Sequence, residues 1–179
     1  CKTDYPYDFK VTYEISSGGV IAVRIPSWSR NTAVKLNNEN ITPEIKDGYA
    51  YINVNNGDVL VFELDGTPRY VYASSRVPRL TGMAALCRGP LVYCFEGIDN
   101  EKDILSLSLR TDSQLSVSVK NEELDAITLK VGSIKIIQKE NCLYSSEPPV
   151  SEAYEATAVP YYTWGNRGEN QMRVWMTKA

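Results

Sequence analysis

The chain has 179 residues, with 22 acidic and 19 basic side chains, a formal net charge of -3 and no histidine. The basic residues are scattered, which excludes the clustered Lys and Arg that neutralise nucleic-acid phosphates. Without histidine, neither a Ser-His-Asp or Cys-His nucleophile system nor a Cys/His zinc site can be assembled from this chain alone.

A chain of this length folded as one unit would bury roughly 70% of its unfolded surface, enough for a real core. No 18-residue apolar stretch is present, so no membrane span is expected. The sequence does not open on a basic-then-apolar leader. It begins inside a strand-like pattern, as expected of an excised piece whose targeting signal lies upstream.

Phe9, Val11, Tyr13 and Ile15 alternate with Lys10, Thr12 and Glu14, the pattern of a strand with one wet face. Ser16 to Gly19 reads as a turn, Val20 to Ile25 as a strand ended by Pro26, and Ala33 to Leu36 as a short strand followed by a polar tip at Asn37 to Asn40. Asp47-Gly48 and Asn56-Gly57-Asp58 are turn signals before strands at Tyr49 to Val54 and Val59 to Leu64. Asp65-Gly66-Thr67-Pro68 breaks the pattern, and Arg69 to Ala73 resumes it.

Two apolar runs, Met83 to Cys87 and Leu91 to Phe95, flank Arg88-Gly89-Pro90. Pro90 fixes its own φ and lacks a donor, and Gly89 accepts backbone geometry that other residues resist, so this is a strand, a kink and a second strand. Asp99 to Asp103 reads as a solvated polar loop; its oxygens lack the Gly and terminal Glu of a calcium loop. Leu105 to Leu109, Leu115 to Val119 and Ile127 to Val131 alternate as strands, with Gly132 a bulge or turn before Ile134 to Ile137. Leu143-Tyr144 is a short extended piece, and Ser145 to Ala153, carrying Pro148-Pro149, reads as an exposed loop. Ala156 to Tyr162 is extended, Gly165 to Gly168 turns, and Met172 to Met176 closes as a strand.

No window shows a helical apolar stripe with a cap. Strands spaced roughly every 8 to 12 residues with turns between them indicate an all-β chain of antiparallel sandwiches. About a dozen strands exceed one small sandwich, so the chain is expected to hold two modules in tandem, 1–67 and 68–179.

The aromatic residues are the candidate ligand contacts. Trp28 follows Arg24-Ile25-Pro26-Ser27, and Tyr161, Tyr162 and Trp164 lie in Val159 to Gly168. Exposed aromatic faces stack on sugar rings, although rings of this kind also dominate cores and interfaces. Trp175 alternates with Val174 and Met176 and faces either way. Arg88 is expected to bond carbonyls or to pair with Glu96 or Asp99. Glycosidase chemistry needs two carboxyls held about 5 to 10 Å apart, and no acid here sits in a catalytic motif. Cys87 and Cys94 read as buried thiols, and the disulfide state of Cys1, Cys87, Cys94 and Cys142 stays open. Asn40-Ile41-Thr42 matches a glycosylation sequon, which matters only in a eukaryotic secretory setting.

Several segments in order resemble the region downstream of the catalytic domain in bacterial glycoside hydrolase family 127, the β-L-arabinofuranosidase family. They are Thr3-Asp4-Tyr5-Pro6-Tyr7-Asp8, where the family reads T-x-Y-P-W-D; Arg24-Ile25-Pro26-Ser27-Trp28; Gly48 to Ile52; and Asn56 to Val59. Arg88-Gly89-Pro90-Leu91-Val92-Tyr93-Cys94-Phe95-Glu96 resembles the R-G-P-L-V-Y-C-x-E run, and Val159 to Gly168 with Met172 to Trp175 resembles the C-terminal signature. The resemblance implies a helical (α/α)6 barrel upstream, with a zinc-bound cysteine nucleophile and acidic partners. Those motifs are absent here, so no catalytic residue and no metal or other cofactor is assigned to this chain. By the same resemblance, 1–67 is the family's middle sandwich, missing strands supplied from upstream, and 68–179 its C-terminal sandwich. The region would support the barrel as its partner, or alternatively bind plant-wall carbohydrate through Trp28, Tyr161, Tyr162 and Trp164. A bacterial, exported or periplasmic parent is implied.

Overall fold

The computed structural model describes residues 1–137 and 143–179, so Cys142 lies outside the described residues. It divides into two compact units, Cys1–Thr67 and Pro68–Ala179. The described residues form antiparallel sheets and single 3-10 turns, with no α-helix among them. The all-β expectation holds.

The first unit contains β1 (Lys2–Thr3), β2 (Lys10–Glu14), β3 (Gly19–Arg24), β4 (Ala33–Leu36), β5 (Glu39–Ile41), β6 (Glu44–Lys46), β7 (Tyr49–Val54) and β8 (Val59–Glu63). One sheet runs β1-β2-β8-β4-β5 and the other β3-β7-β6. In β7 the period-2 rule is followed without exception: Ala50, Ile52 and Val54 are buried while Tyr49, Tyr51 and Asn53 face outward. The buried three meet Val34, Leu60 and Phe62 from the other sheet, which makes the unit a sandwich.

The polar tip expected at 37–40 is smaller than its composition suggested. Asn37 and Asn38 have φ of 51° and 69°, and Leu36 pairs with Glu39, so a two-residue turn joins β4 to β5. Asparagine tolerates this left-handed backbone, which primed hairpin turns require. The Asn37 amide also donates to Asp58 Oδ1 at 2.9 Å, tying one turn to another. At the unit's other end Gly66 lies under the Phe9 ring; a Cβ on Gly66 would stand 2.0 Å from Phe9 Cδ2.

The second unit contains β9 (Pro68–Tyr72), β10 (Met83–Arg88), β11 (Leu91–Glu96), β12 (Leu107–Leu109), β13 (Ser116–Asn121), β14 (Ala126–Ile137), β15 (Val150–Pro160), β16 (Met172–Arg173) and β17 (Met176–Thr177). β10 and β11 form the hairpin read from the sequence, with Arg88 opposite Leu91 and Gly89 at φ 54°. The sheet order β12-β14-β15-β11-β10-β17 then returns to its start. Leu109 bridges Lys178, and the Ala179 N–H donates to the Leu109 carbonyl at 2.9 Å. One sheet thus folds over and joins its own far edge, enclosing Leu86, Tyr93, Phe95, Leu107, Leu109, Leu129, Val131 and Met176.

Several readings of the second half change. The strand expected from Leu105 starts only at Leu107, because Ile104–Ser106 forms a 3-10 turn capped by Asp103. Gly132 is not a turn: it lies within β14 opposite Glu155, and a Cβ there would meet Ser113 Oγ at 2.6 Å. Close approach, and not chain reversal, requires the glycine. The loop expected through Ala153 gives way at Val150 to β15, because pairing with β14 continues to Ile137 opposite Val150. Met172 to Met176 is two strands: β16 pairs with the outer end of β11, and β17 with the outer end of β10. The segment therefore joins both arms of the hairpin beyond the point where the arms pair with each other.

Candidate functional site

The chemistry of the second unit concentrates where the loop after β15 meets the end of β11. β15 ends at Pro160, and Tyr161–Thr163 forms a 3-10 turn. Thr163 is buried and its hydroxyl donates to the Pro160 carbonyl at 2.8 Å, which fixes that turn. The chain then turns through Gly165 and Gly168, at φ of 78° and 100°, and places Arg167 against the hairpin.

Arg167 is the anchor. Its Nη2 donates to Glu96 Oε2 at 2.9 Å, and its guanidinium also grips both oxygens of Asp99. The Glu96 side chain has 0% exposure and that of Arg167 11%, so the pair is shielded from solvent. Asn170 Nδ2 and the Gly165 N–H both donate to Glu96 Oε1, at 3.1 and 3.3 Å. Burial by itself raises the Glu96 pKa, but the bonds from Arg167, Asn170 and Gly165 outweigh it and hold the carboxyl below its ordinary value. Nearby, burial pushes the Cys94 thiol up to about 12, with the charges of Glu96 and Asp99 adding to the effect. Burial likewise pushes Tyr93 up to about 12, opposed by the Arg88 guanidinium; the Tyr93 hydroxyl donates to the Ile127 carbonyl at 3.0 Å.

The loop expected to be a solvated turn is tied down at Asp99, Asn100, Glu101 and Asp103. Asn100 Nδ2 donates to the Glu96 and Thr157 carbonyls, both at 2.9 Å, and its Oδ1 accepts from Thr157 N at 2.7 Å. Glu101 pairs with Lys135 at 3.0 Å. Asp103 accepts from Leu105 N at 3.1 Å and so caps the next 3-10 turn. The arginine on Glu96 and Asp99 is Arg167; the pairing that was one of two roles expected of Arg88 falls to it, and Arg88 lies beside Tyr93.

The four candidate aromatic residues fall into three environments. Trp28, in the first unit, is half-buried and meets Phe9 edge-on, ring centroids 5.7 Å apart, with Tyr5 against the same ring. Tyr161 and Trp164 stack on each other at 6.1 Å and 21°, and stay 47% and 45% exposed. Tyr162 points elsewhere: burial raises its hydroxyl pKa, and the charges that act on it are Asp125 and Lys120. Beside Tyr161 opens a cavity of about 460 Å³ lined also by Arg79, Met83, Arg173 and Trp175. The cavity answers which way Trp175 faces. Arg79, Arg167 and Arg173 were missed as site residues because single arginines in turns or short strands carry no pattern; only the tertiary fold assembles them.

Two antiparallel units, each with its own core, and a loop locked onto the second by a buried ion pair define a tandem β-domain protein. Residues 68–177 match the glycoside hydrolase family 127 C-terminal domain, and the chain belongs to that family. It is 32% identical over 195 residues to the non-reducing end β-L-arabinofuranosidase of Bifidobacterium longum subsp. longum, an alignment spanning 99% of this chain and 30% of that protein. A crystal structure of a GH127 β-L-arabinofuranosidase from Geobacillus stearothermophilus T6 superposes with a TM-score of 0.93 at 31% identity, over 99% of this chain and 30% of the other. A second GH127 β-arabinofuranosidase superposes at 0.89 and 27% identity, over 99% and 31%. The chain thus spans under a third of the length of these relatives.

Proposed function

We propose that this chain is the non-catalytic β region of a β-L-arabinofuranosidase-like glycoside hydrolase, and that it buttresses an (α/α)6 catalytic barrel encoded upstream. The observation that carries the reading is coverage: 99% of the chain corresponds to only 30% of an arabinofuranosidase, leaving most of such an enzyme to house the chemistry. The engagement of two acids by one buried cation supports it. Glu96 and Asp99 are both engaged by Arg167, so this pair of acids is committed to an internal ion pair that ties a loop to the hairpin. The zinc implied for the barrel belongs with that upstream part. Among the described residues no three Cys, Asp or Glu side chains group to hold a metal, so these residues do not fit it.

The test is turnover of aryl β-L-arabinofuranosides. The 179-residue chain releases no nitrophenol, whereas a polypeptide extended to the length of the relatives does. Turnover by the pure chain overturns the proposal.

The stacked, half-exposed Tyr161–Trp164 pair favours a second reading, in which the region also binds carbohydrate. Aromatic faces offer apolar area at low conformational cost to the C–H faces of sugars. Fluorescence or calorimetric titration with arabino-oligosaccharide tests it.

A further inference from the structure

We propose that the cavity beside the Tyr161–Trp164 pair is a subsite for a carboxylate-bearing sugar, a uronic acid residue of an acidic glycan. The proposal rests on the carbohydrate-binding reading above and adds the charge of the ligand.

The cavity, about 460 Å³, falls within the size of ordinary small-molecule sites. Its construction is unequal. Part of its lining is apolar, with Leu80, Met83 and Met172 beside the ring of Tyr161. Two arginines from different elements also line it: Arg79 from the 3-10 turn Pro78–Leu80, and Arg173 from β16. Neither arginine side chain has a hydrogen bond or ion pair among the described residues.

Several other cations of the unit have a carboxylate partner: Arg110 with Asp112, Lys135 with Glu101, and Arg167 with Glu96 and Asp99; Arg76 and Lys102 also lack one among the described residues but do not line the cavity. In a chain with more acids than bases, two guanidinium groups line one concavity whose lining contains no Asp or Glu, an arrangement that favours an anion there. A guanidinium presents its donors as a planar fork that fits a carboxylate, and partial exclusion of water strengthens the contact. A neutral furanose or pyranose would use the aromatic wall and leave both charges unanswered. A uronate uses both: its ring lies on Tyr161 and its carboxylate meets Arg79 and Arg173.

The experiment is calorimetry on the 179-residue chain with three probes: trigalacturonate, the same trisaccharide as its methyl ester, and arabinotriose. Trigalacturonate is expected to bind at least about tenfold more tightly than the ester, as befits a charge-assisted hydrogen bond gained or lost. The advantage should shrink as salt is raised, because Arg79 is exposed and screened. Arg79→Gln and Arg173→Gln should each erase most of it and weaken the ester far less; circular dichroism of each variant shows that it is folded. Tyr161→Ala should weaken all three probes. Equal binding of acid and ester overturns the uronate assignment and leaves the carbohydrate reading standing. Absence of binding by all three on the order of 10 mM overturns both. Sodium acetate or a glutamate-rich peptide matching trigalacturonate shows an anion site with no use for a sugar ring, and also overturns it.

Discussion

Arg167 Nη2 lies 2.9 Å from Glu96 Oε2, joining a carboxylate without exposed surface to a loop residue 71 positions downstream. The contact closes the β15 loop onto the central hairpin. It makes that loop part of the core, although its composition is that of a surface turn.

Replacing Arg167 by Gln leaves the buried Glu96 charge without its cation, with only Asn170 and the Gly165 N–H still donating to it. Breaking one partner of a buried pair costs about 3–5 kcal/mol, so Arg167→Gln should lower the urea midpoint of the second unit steeply. Glu96→Gln, with Asp99 still holding Arg167, should cost less. Denaturation followed by circular dichroism ranks the two; equal losses would show that the charge of Glu96 is not what the loop answers.

Acid should dissolve the same clasp. The Glu96 pKa is held below 4.5, its unfolded reference, so its contribution is fully present above that value. It is lost as pH falls through the folded value. The urea midpoint is expected to be flat from neutral pH to about 5 and to drop below it, with Glu96→Gln showing a shallower drop. A variant with the same acid profile as the parent would move the cause to other carboxylates.

Gly66→Ala should be among the worst small substitutions in the first unit. The added Cβ would sit 2.0 Å from the Phe9 ring, whose own face meets Trp28 and Tyr5. Overpacking of this kind costs about 1–3 kcal/mol. Gly132→Ala, at 2.6 Å from the Ser113 hydroxyl, should cost less, and Ser113→Gly should restore it. Thermal melts of Gly66→Ala, Gly132→Ala and the Ser113→Gly/Gly132→Ala double variant decide the order.

The thiols should react in an order set by burial. Cys1 is exposed, Cys87 half-buried and Cys94 buried with its pKa raised to about 12. Only the thiolate attacks, so in a Cys142→Ser background iodoacetamide at pH 8 should label Cys1 first and Cys94 only on unfolding. Mass spectrometry of timed samples reads this directly; early labelling of Cys94 would mean the hairpin opens.

The strands were legible because alternation and turn dipeptides are local. Val11 to Ile15, Tyr49 to Val54 and the Gly89-Pro90 reversal needed nothing beyond their neighbours. What escaped was set by partners distant in sequence. Gly132 looks like a break until Ser113 is placed beside it. Met172 to Met176 looks like one strand until its two halves find different arms of the hairpin. For Glu96 the sequence offered only the nearby Arg88, and the return of the β15 loop brings Arg167 there instead. At the candidate site the aromatic residues were visible as a cluster of letters. Tyr162 separates from Tyr161 and Trp164 because adjacent residues of a tight turn point apart.

The pairing of Met172–Arg173 and Met176–Thr177 with opposite arms of the β10–β11 hairpin has a bearing on how the protein is made. Until those residues have left the ribosome, the hairpin carries two bare outer ends that any passing extended chain can occupy. Contacts so distant in sequence pay their loop-closure entropy before returning anything, so maturation of this half should be slow and sensitive to crowding by its own nascent copies. The hairpin waits open for a late-synthesised segment.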